Sequence, residues 1–181
     1  VVFLREIAFG TEPEHPSMII TGLDDSNLLW AQKLNSSEVP FVNFLSMDDF
    51  AALVNLSAYA RITLTDDGKP SGLLVGFLPG AAYQSANYRW VNAQYDDFFY
   101  IDRIIIDGHY RSQGLARHLY DDAARFALDH RKTALICEVN SKPANKNSLA
   151  AHARMGFLPV GRASSDDDQK EVVYLRKGLQ D

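Results

Sequence analysis

The chain has 181 residues, a mass of 20.2 kDa and a formal charge of -5, with a pI near 5.5. That length suits one domain with a full core, and 46% hydrophobic with 23% charged residues describes a folded globular protein, not a disordered tail. The acidic balance, with no basic stripe, argues against a nucleic-acid partner, and no apolar run approaches the roughly 20 residues that cross a bilayer. A single cysteine, Cys137, cannot form an internal disulfide, so a reducing, cytoplasmic location is expected, with Cys137 as a core thiol.

Residues 1–16, broken by Gly10, Pro13 and Pro16, read as an N-terminal extension or edge piece, and residues 17–181 as one domain. Residues 17–21 form a short strand. Asp24, Asp25 or Ser26 can cap a helix carrying Leu28, Leu29, Ala31 and Leu34, and Ser46-x-x-Asp49 approximates a capping box ahead of Phe50, Ala51, Leu53 and Val54. Strands at 60–64 and 72–77 flank the turn Asp66-Asp67-Gly68-Lys69. The segment 79–97 shows little periodicity and many polar aromatics, which predicts a long loop, functional or disordered. A strand at 98–106 follows. A helix then runs to about His130, with Leu115, Leu119, Ala123, Phe126 and Ala127 on one face. The apolar run 133–139 is a buried strand, a short helix ends at Gly156, and Val160-Gly161 pairs with residues 172–175 around Asp166–Asp168. The sum is an α/β fold, a mixed central β-sheet with helices on both faces.

Between the strand ending Ile104-Ile105-Ile106 and the long helix lies Arg111-Ser112-Gln113-Gly114-Leu115-Ala116. A strand, a basic glycine turn and a helix start together make an anion cradle, because first-turn N–H groups are unsatisfied and the helix dipole is positive there. The spacing fits neither a Walker loop nor a dinucleotide fingerprint. Arg-x-x-Gly-x-Ala resembles the motif Arg/Gln-x-x-Gly-x-Gly/Ala of the GNAT acyltransferases. Asn145, Ser148 and the pair Gly156-Phe157 fall on the family's frame Asn-x-x-Ala/Ser-x-x-x-Tyr-x-x-x-Gly-Phe. The resemblance covers residues from about 18 to 179. It implies a GNAT fold and acetyl-CoA as the cofactor. The backbone of Ile104, Ile105 and Ile106 would pair with the pantetheine, residues Arg111 to Ala116 would take the pyrophosphate, and Asn145 with Ser148 would contact the pantetheine arm.

Acetyl transfer to an amine needs a base for the ammonium, a hold on the thioester and an acid or stabiliser for the thiolate. Glu138 is the first candidate base. Its strand is apolar on both faces, so it faces a cleft or is a buried partner of an Arg or an amide. The segment is similar to GNAT enzymes that acetylate ribosomal-protein N-termini, with two additional residues before Asn145. Asp102 is the second candidate, with Tyr100 beside it; strict alternation puts Tyr100, Asp102, Ile104 and Ile106 on one face. Asp102 paired with Arg103 or Arg111 is the alternative. His152 stands where the family has its acidic Tyr, and an imidazole there either donates a proton or packs. No zinc-type spacing is present, so no metal is expected. The expected acceptor is a small-molecule or peptide amine. The acidic balance leans toward a cationic one, with Asp96-Asp97 and the 79–97 aromatics covering it. A non-catalytic CoA-binding module is the competing reading and a nucleotide-binding α/β domain a distant third. A homodimer is common in the family and compatible with this sequence.

Overall fold

A computed structural model of the chain describes residues 19–164 and 170–179. In chain order it has β1 (Ile19–Gly22), α1 (Asp25–Ser37), α2 (Met47–Leu56), β2 (Tyr59–Leu64), β3 (Pro70–Phe77), α3 (Ala86–Gln94), β4 (Phe99–Ile106), α4 (Leu115–Asp129), β5 (Ala134–Lys142), α5 (Lys146–Arg154), β6 (Leu158–Ser164) and β7 (Glu171–Gly178). The strands form one mixed sheet in the order β1-β2-β3-β4-β5-β7-β6, antiparallel except for the parallel pair β4–β5. Helices cover both faces. Ala31 and Leu34 of α1, Phe50 and Leu53 of α2, and Tyr88 and Val91 of α3 pack with Ile62, Tyr100, Ile105 and Ile136 on one side. Leu119, Tyr120, Ala123 and Ala127 of α4 and Ala151 of α5 pack with Ile101, Ile104, Cys137 and Val139 on the other.

The helix starts follow their side chains. Asp24 caps α1 by accepting the Ser26 N–H at 3.0 Å. Ser46 caps α2 by accepting the Asp49 N–H at 3.1 Å. Of the apolar residues of α1, Ala31 and Leu34 are buried with Asn35, while Leu29 is 53% exposed. Residues 1–16, Ser17-Met18 and the turn Asp166–Asp168 lie outside the described residues.

Two departures from the sequence expectation shape the site. Segment 79–97 is no continuous loop. It contains α3, capped by Ser85 and anchored one turn apart by Tyr88 and Val91, both buried. Polar Asn87, Arg89 and Asn92 next to them hide the period. The second departure is a β-bulge. Val75 stands opposite Arg103 and Gly76 opposite Ile101, so Asp102 is an extra residue and alternation resets there. Ile101 and Ile104 therefore share the α4 side, while Tyr100 and Ile105 share the other; Tyr100 and Ile104 are not on one face. Gly76 permits the close approach, since a Cβ there would lie 2.2 Å from the Phe99 ring and 2.8 Å from the Tyr100 carbonyl oxygen.

Candidate active site

The pairing of β4 with β5 is confined to Phe99–Leu135, Tyr100–Ile136 and Ile101–Cys137. Beyond Ile101 and Cys137 the strands part, β4 remaining on β3 and β5 on β7. The segment from Asp102 to Ile106 and that from Glu138 to Lys142 thus flank a wedge at the C-terminal ends of the two parallel strands. The extra residues after Glu138 are absorbed locally. β5 is irregular between Asn140 and Lys142, and the Asn145 N–H donates back to the Asn140 carbonyl at 3.0 Å.

The turn leaving β4 passes Ser112 at φ 64° and Gly114 at φ 80°. Gly114 is the N-cap of α4 and, having no side chain, offers the first-turn N–H groups no cap of its own. Its requirement is conformational: a Cβ there would meet nothing nearer than the His118 ring at 3.9 Å, but φ 80° strains an L side chain. Gln113 is exposed, while Leu115 and Ala116 bury their side chains beneath the helix start. The Arg111 side chain does not point its charge outward alone. Its Nε donates to the Ile106 carbonyl at 3.1 Å and its guanidinium pairs with Glu38 after α1, so it fastens the turn to the core. The cradle is therefore chiefly backbone.

Asn145 caps α5, its Oδ1 accepting the Ser148 N–H at 3.1 Å, and is 5% exposed. Its Nδ2 is buried with no hydrogen-bond partner. A buried donor left this way costs about 1–3 kcal/mol, which a ligand carbonyl would recover. Ser148 is fully buried and serves α5 through its backbone.

Glu138 is 2% exposed and lies on the α3 side of β5. Oε2 accepts the Tyr100 hydroxyl at 2.8 Å and Oε1 accepts the Asn87 amide at 2.9 Å, while the Asn87 Oδ1 accepts the Tyr174 hydroxyl at 2.9 Å. Burial, then the Glu138 charge, pushes the Tyr100 phenol well above its ordinary value, so Tyr100 keeps its proton and acts as a donor. Asp102 accepts the Tyr83 hydroxyl and the Arg103 Nε, each at 2.7 Å, and Arg103 reaches Asn35 of α1. Burial would raise the Asp102 carboxyl, but the adjacent Arg103 charge and these hydrogen bonds hold it below the usual carboxylate range. A carboxylate so stabilised is a weak proton acceptor.

His152 is 0% exposed. Its Nδ1 lies 2.7 Å from the Ser148 carbonyl, which can only accept, so Nδ1 carries the proton and Nε2 accepts the Tyr120 hydroxyl at 2.7 Å. Burial lowers its pKa to about 4. Both nitrogens are engaged and the ring packs against Tyr120 and Phe157. Burial likewise pushes the Cys137 thiol well up, leaving it a core thiol. Among the described residues no group of three metal-binding side chains comes together.

On the Glu138 side of the sheet lies a cavity of about 160 Å³; its lining includes Phe41 and Asn43 from the α1–α2 connection, Asn87 of α3, Asn140 of β5, Val172 of β7 and Lys170 just before β7. Asp96-Asp97 does not border it. Asp97 pairs with Lys132 and its carbonyl accepts the Thr133 N–H, at the opposite end of β4 and β5. The residues missed by sequence reasoning, Asn87 above all, come from α3; the signal that would have found them is the Ser85 cap with Tyr88 and Val91 at helical spacing.

A parted pair of parallel strands, with a glycine turn into one helix and an asparagine-capped helix after the other, is an acetyltransferase architecture. The model of the acetyltransferase (GNAT) family matches residues 28–157, and the chain belongs to that family. Among solved structures, it resembles Ard1 from Thermoplasma volcanium at TM-score 0.72 and 11% identity, covering 91% of this chain and 99% of that one. It also resembles the ribosomal-protein-S18-alanine N-acetyltransferase from Escherichia coli at TM-score 0.67 and 17% identity (90% and 94% covered). An N-acetyltransferase from Staphylococcus aureus Mu50 gives TM-score 0.66 at 14% identity (91% and 99%). At these identities the likeness is one of fold.

Proposed function

We propose that this chain is an N-acetyltransferase that moves an acetyl group from acetyl-CoA to an amine by direct attack, with both substrates bound together. Glu138 is the proton acceptor. The observation that carries the reading is the placement of Glu138 beside the wedge between β4 and β5, on the face where the 160 Å³ cavity opens and where Asn87 belongs to both. Bound acetyl-CoA supplies an activated thioester. The chain's own groups fit it: the first-turn N–H groups after Gly114 suit a pyrophosphate, the parted edge at Ile104, Ile105 and Ile106 suits an extended amide chain, and the orphaned Asn145 Nδ2 suits a carbonyl. Ser112, Gln113, Leu115 and Ala116 take part through backbone.

An ammonium has no lone pair, so the acceptor must lose a proton before or during attack. Glu138, hydrogen-bonded by Tyr100 and Asn87, takes it; Asp102, committed to Arg103 and Tyr83, does not. No covalent acyl-enzyme is formed, because the buried Cys137 thiol is held protonated. With His152 neutral and satisfied, the departing sulfur takes its proton from solvent or from the acceptor's ammonium. The test is Glu138→Gln, which keeps shape and removes the acceptor. Turnover should fall by about 10²–10⁴ with CoA affinity retained. A Glu138→Gln protein at wild-type turnover would return the role to Asp102.

A further inference from the structure

Helix α3 brings one polar side chain between the acceptor cavity and Glu138, and its orientation is fixed by chemistry. Asn87 donates Nδ2–H to Glu138 Oε1 at 2.9 Å and accepts the Tyr174 hydroxyl on Oδ1 at 2.9 Å. Turning the amide over would set its oxygen against the carboxylate, two acceptors facing each other, so only one orientation satisfies both neighbours. One turn on, the Trp90 ring stacks on Tyr174 at 3.9 Å and 1°. It fills space that Gly161 leaves open, where a Cβ would come within 2.5 Å of the indole. Helix α3 is thereby clamped onto β7, and Asn87 with it.

We propose that Asn87 is a positioning residue for the transfer step, holding the Glu138 carboxylate toward the cavity it also lines. This rests on the reading of Glu138 as the base. The Glu138 carboxylate is held on both oxygens, by Tyr100 from β4 and by Asn87 from α3. Among the described residues, the other titratable or charged groups near it or the cavity are Tyr174 and Cys137, Tyr83 before α3, the Asp102–Arg103 pair near Tyr100, and Lys170 in the cavity wall. Burial keeps the tyrosines and the thiol protonated, and Asp102 and Arg103 neutralise each other. Asn87 is thus a neutral donor to the carboxylate, and an amine entering the cavity meets Asn87, which contacts Glu138 behind it.

An acceptor is first found by following thiol release from acetyl-CoA across a panel of primary amines. Asn87→Leu then removes both hydrogen bonds at similar size, and Tyr174→Phe removes only the bond that orients the amide. Asn87→Leu should lower kcat by about tenfold or more and move the acid limb of the kcat profile upward by about one pH unit, since a carboxylate without its donor is protonated more readily. CoA affinity should not change. Tyr174→Phe should move both readouts the same way by less, and in a Glu138→Gln background neither change should add a further loss. If Asn87→Leu does not fold, Tyr174→Phe carries the same comparison. An unmoved acid limb and full kcat in these variants, with Glu138→Gln inactive, would overturn the role of Asn87 and leave the base in place. Full turnover in Glu138→Gln would instead remove the base, and this inference with it.

Discussion

His152 shows what a single position in a motif does and does not convey. Its spacing from Asn145 and Gly156 was readable, and so was the choice between an acid and a packed ring. The ring's partners were not, because they are the Ser148 carbonyl and the Tyr120 hydroxyl, the latter 32 residues away along the chain. Replacing it with Phe should leave turnover per folded molecule nearly intact and lower stability by about 1–3 kcal/mol, because the Tyr120 hydroxyl loses its acceptor. A large kcat loss in a folded His152→Phe protein would restore it to the mechanism. The buried imidazole also predicts an acid response. The folded state holds it near 4 while the unfolded chain titrates near 6.5, so between those values the unfolded chain binds more protons and stability falls as pH falls. The loss should reach about 3 kcal/mol by pH 4 and be fully absent above about 6.5. Denaturant melts of wild type and His152→Phe across that window check it; the variant should lack this part of the slope.

At the scale of elements, the glycine turn, the long helix, the β2–β3 hairpin and the order of strands were legible, because each carries a local signal: a cap, a period or a turn dipeptide. What was not legible was non-local. The bulge at Asp102 arises from how β3 and β4 register, with Gly76 against Phe99, and nothing within β4 alone announces it. It sends Asp102 and Arg103 into one buried pair, the pairing the sequence held out as the alternative for Asp102. Helix α3 was hidden by its polar aromatics, whose hydroxyls and rings are satisfied by other elements: Tyr88 by the Leu78 carbonyl, Trp90 by Tyr174. The turn before α4 gives a test at this scale. Gly114→Val forces a β-branched side chain to φ 80° and displaces the first-turn N–H groups, so CoA affinity should be lost while the fold survives. Arg111→Ala should weaken CoA less, since its side chain is committed to Ile106 and Glu38. Calorimetry showing wild-type CoA affinity in folded Gly114→Val would contradict the assignment of this turn.

Over the whole molecule, the seven-stranded sheet serves one purpose for the chemistry: it holds β4 and β5 together at Phe99–Ile101 and lets them part below Glu138. The sheet separates a side covered by α4 and α5, where the proposed cofactor would sit, from a side covered by α1, α2 and α3, where the proposed acceptor would enter. An enzyme built this way releases thiol from acetyl-CoA only when a suitable amine is present; a binding module releases none with any amine. The central claim, that one ligand occupies the wedge between these two sides, is tested most directly by a crystal structure with CoA. The account predicts the pantetheine between β4 and β5, with the Asn145 Nδ2 donating to one of its carbonyls and the pyrophosphate on the N–H groups after Gly114. CoA seated outside the wedge, with the Asn145 amide still buried and without a partner, would contradict it.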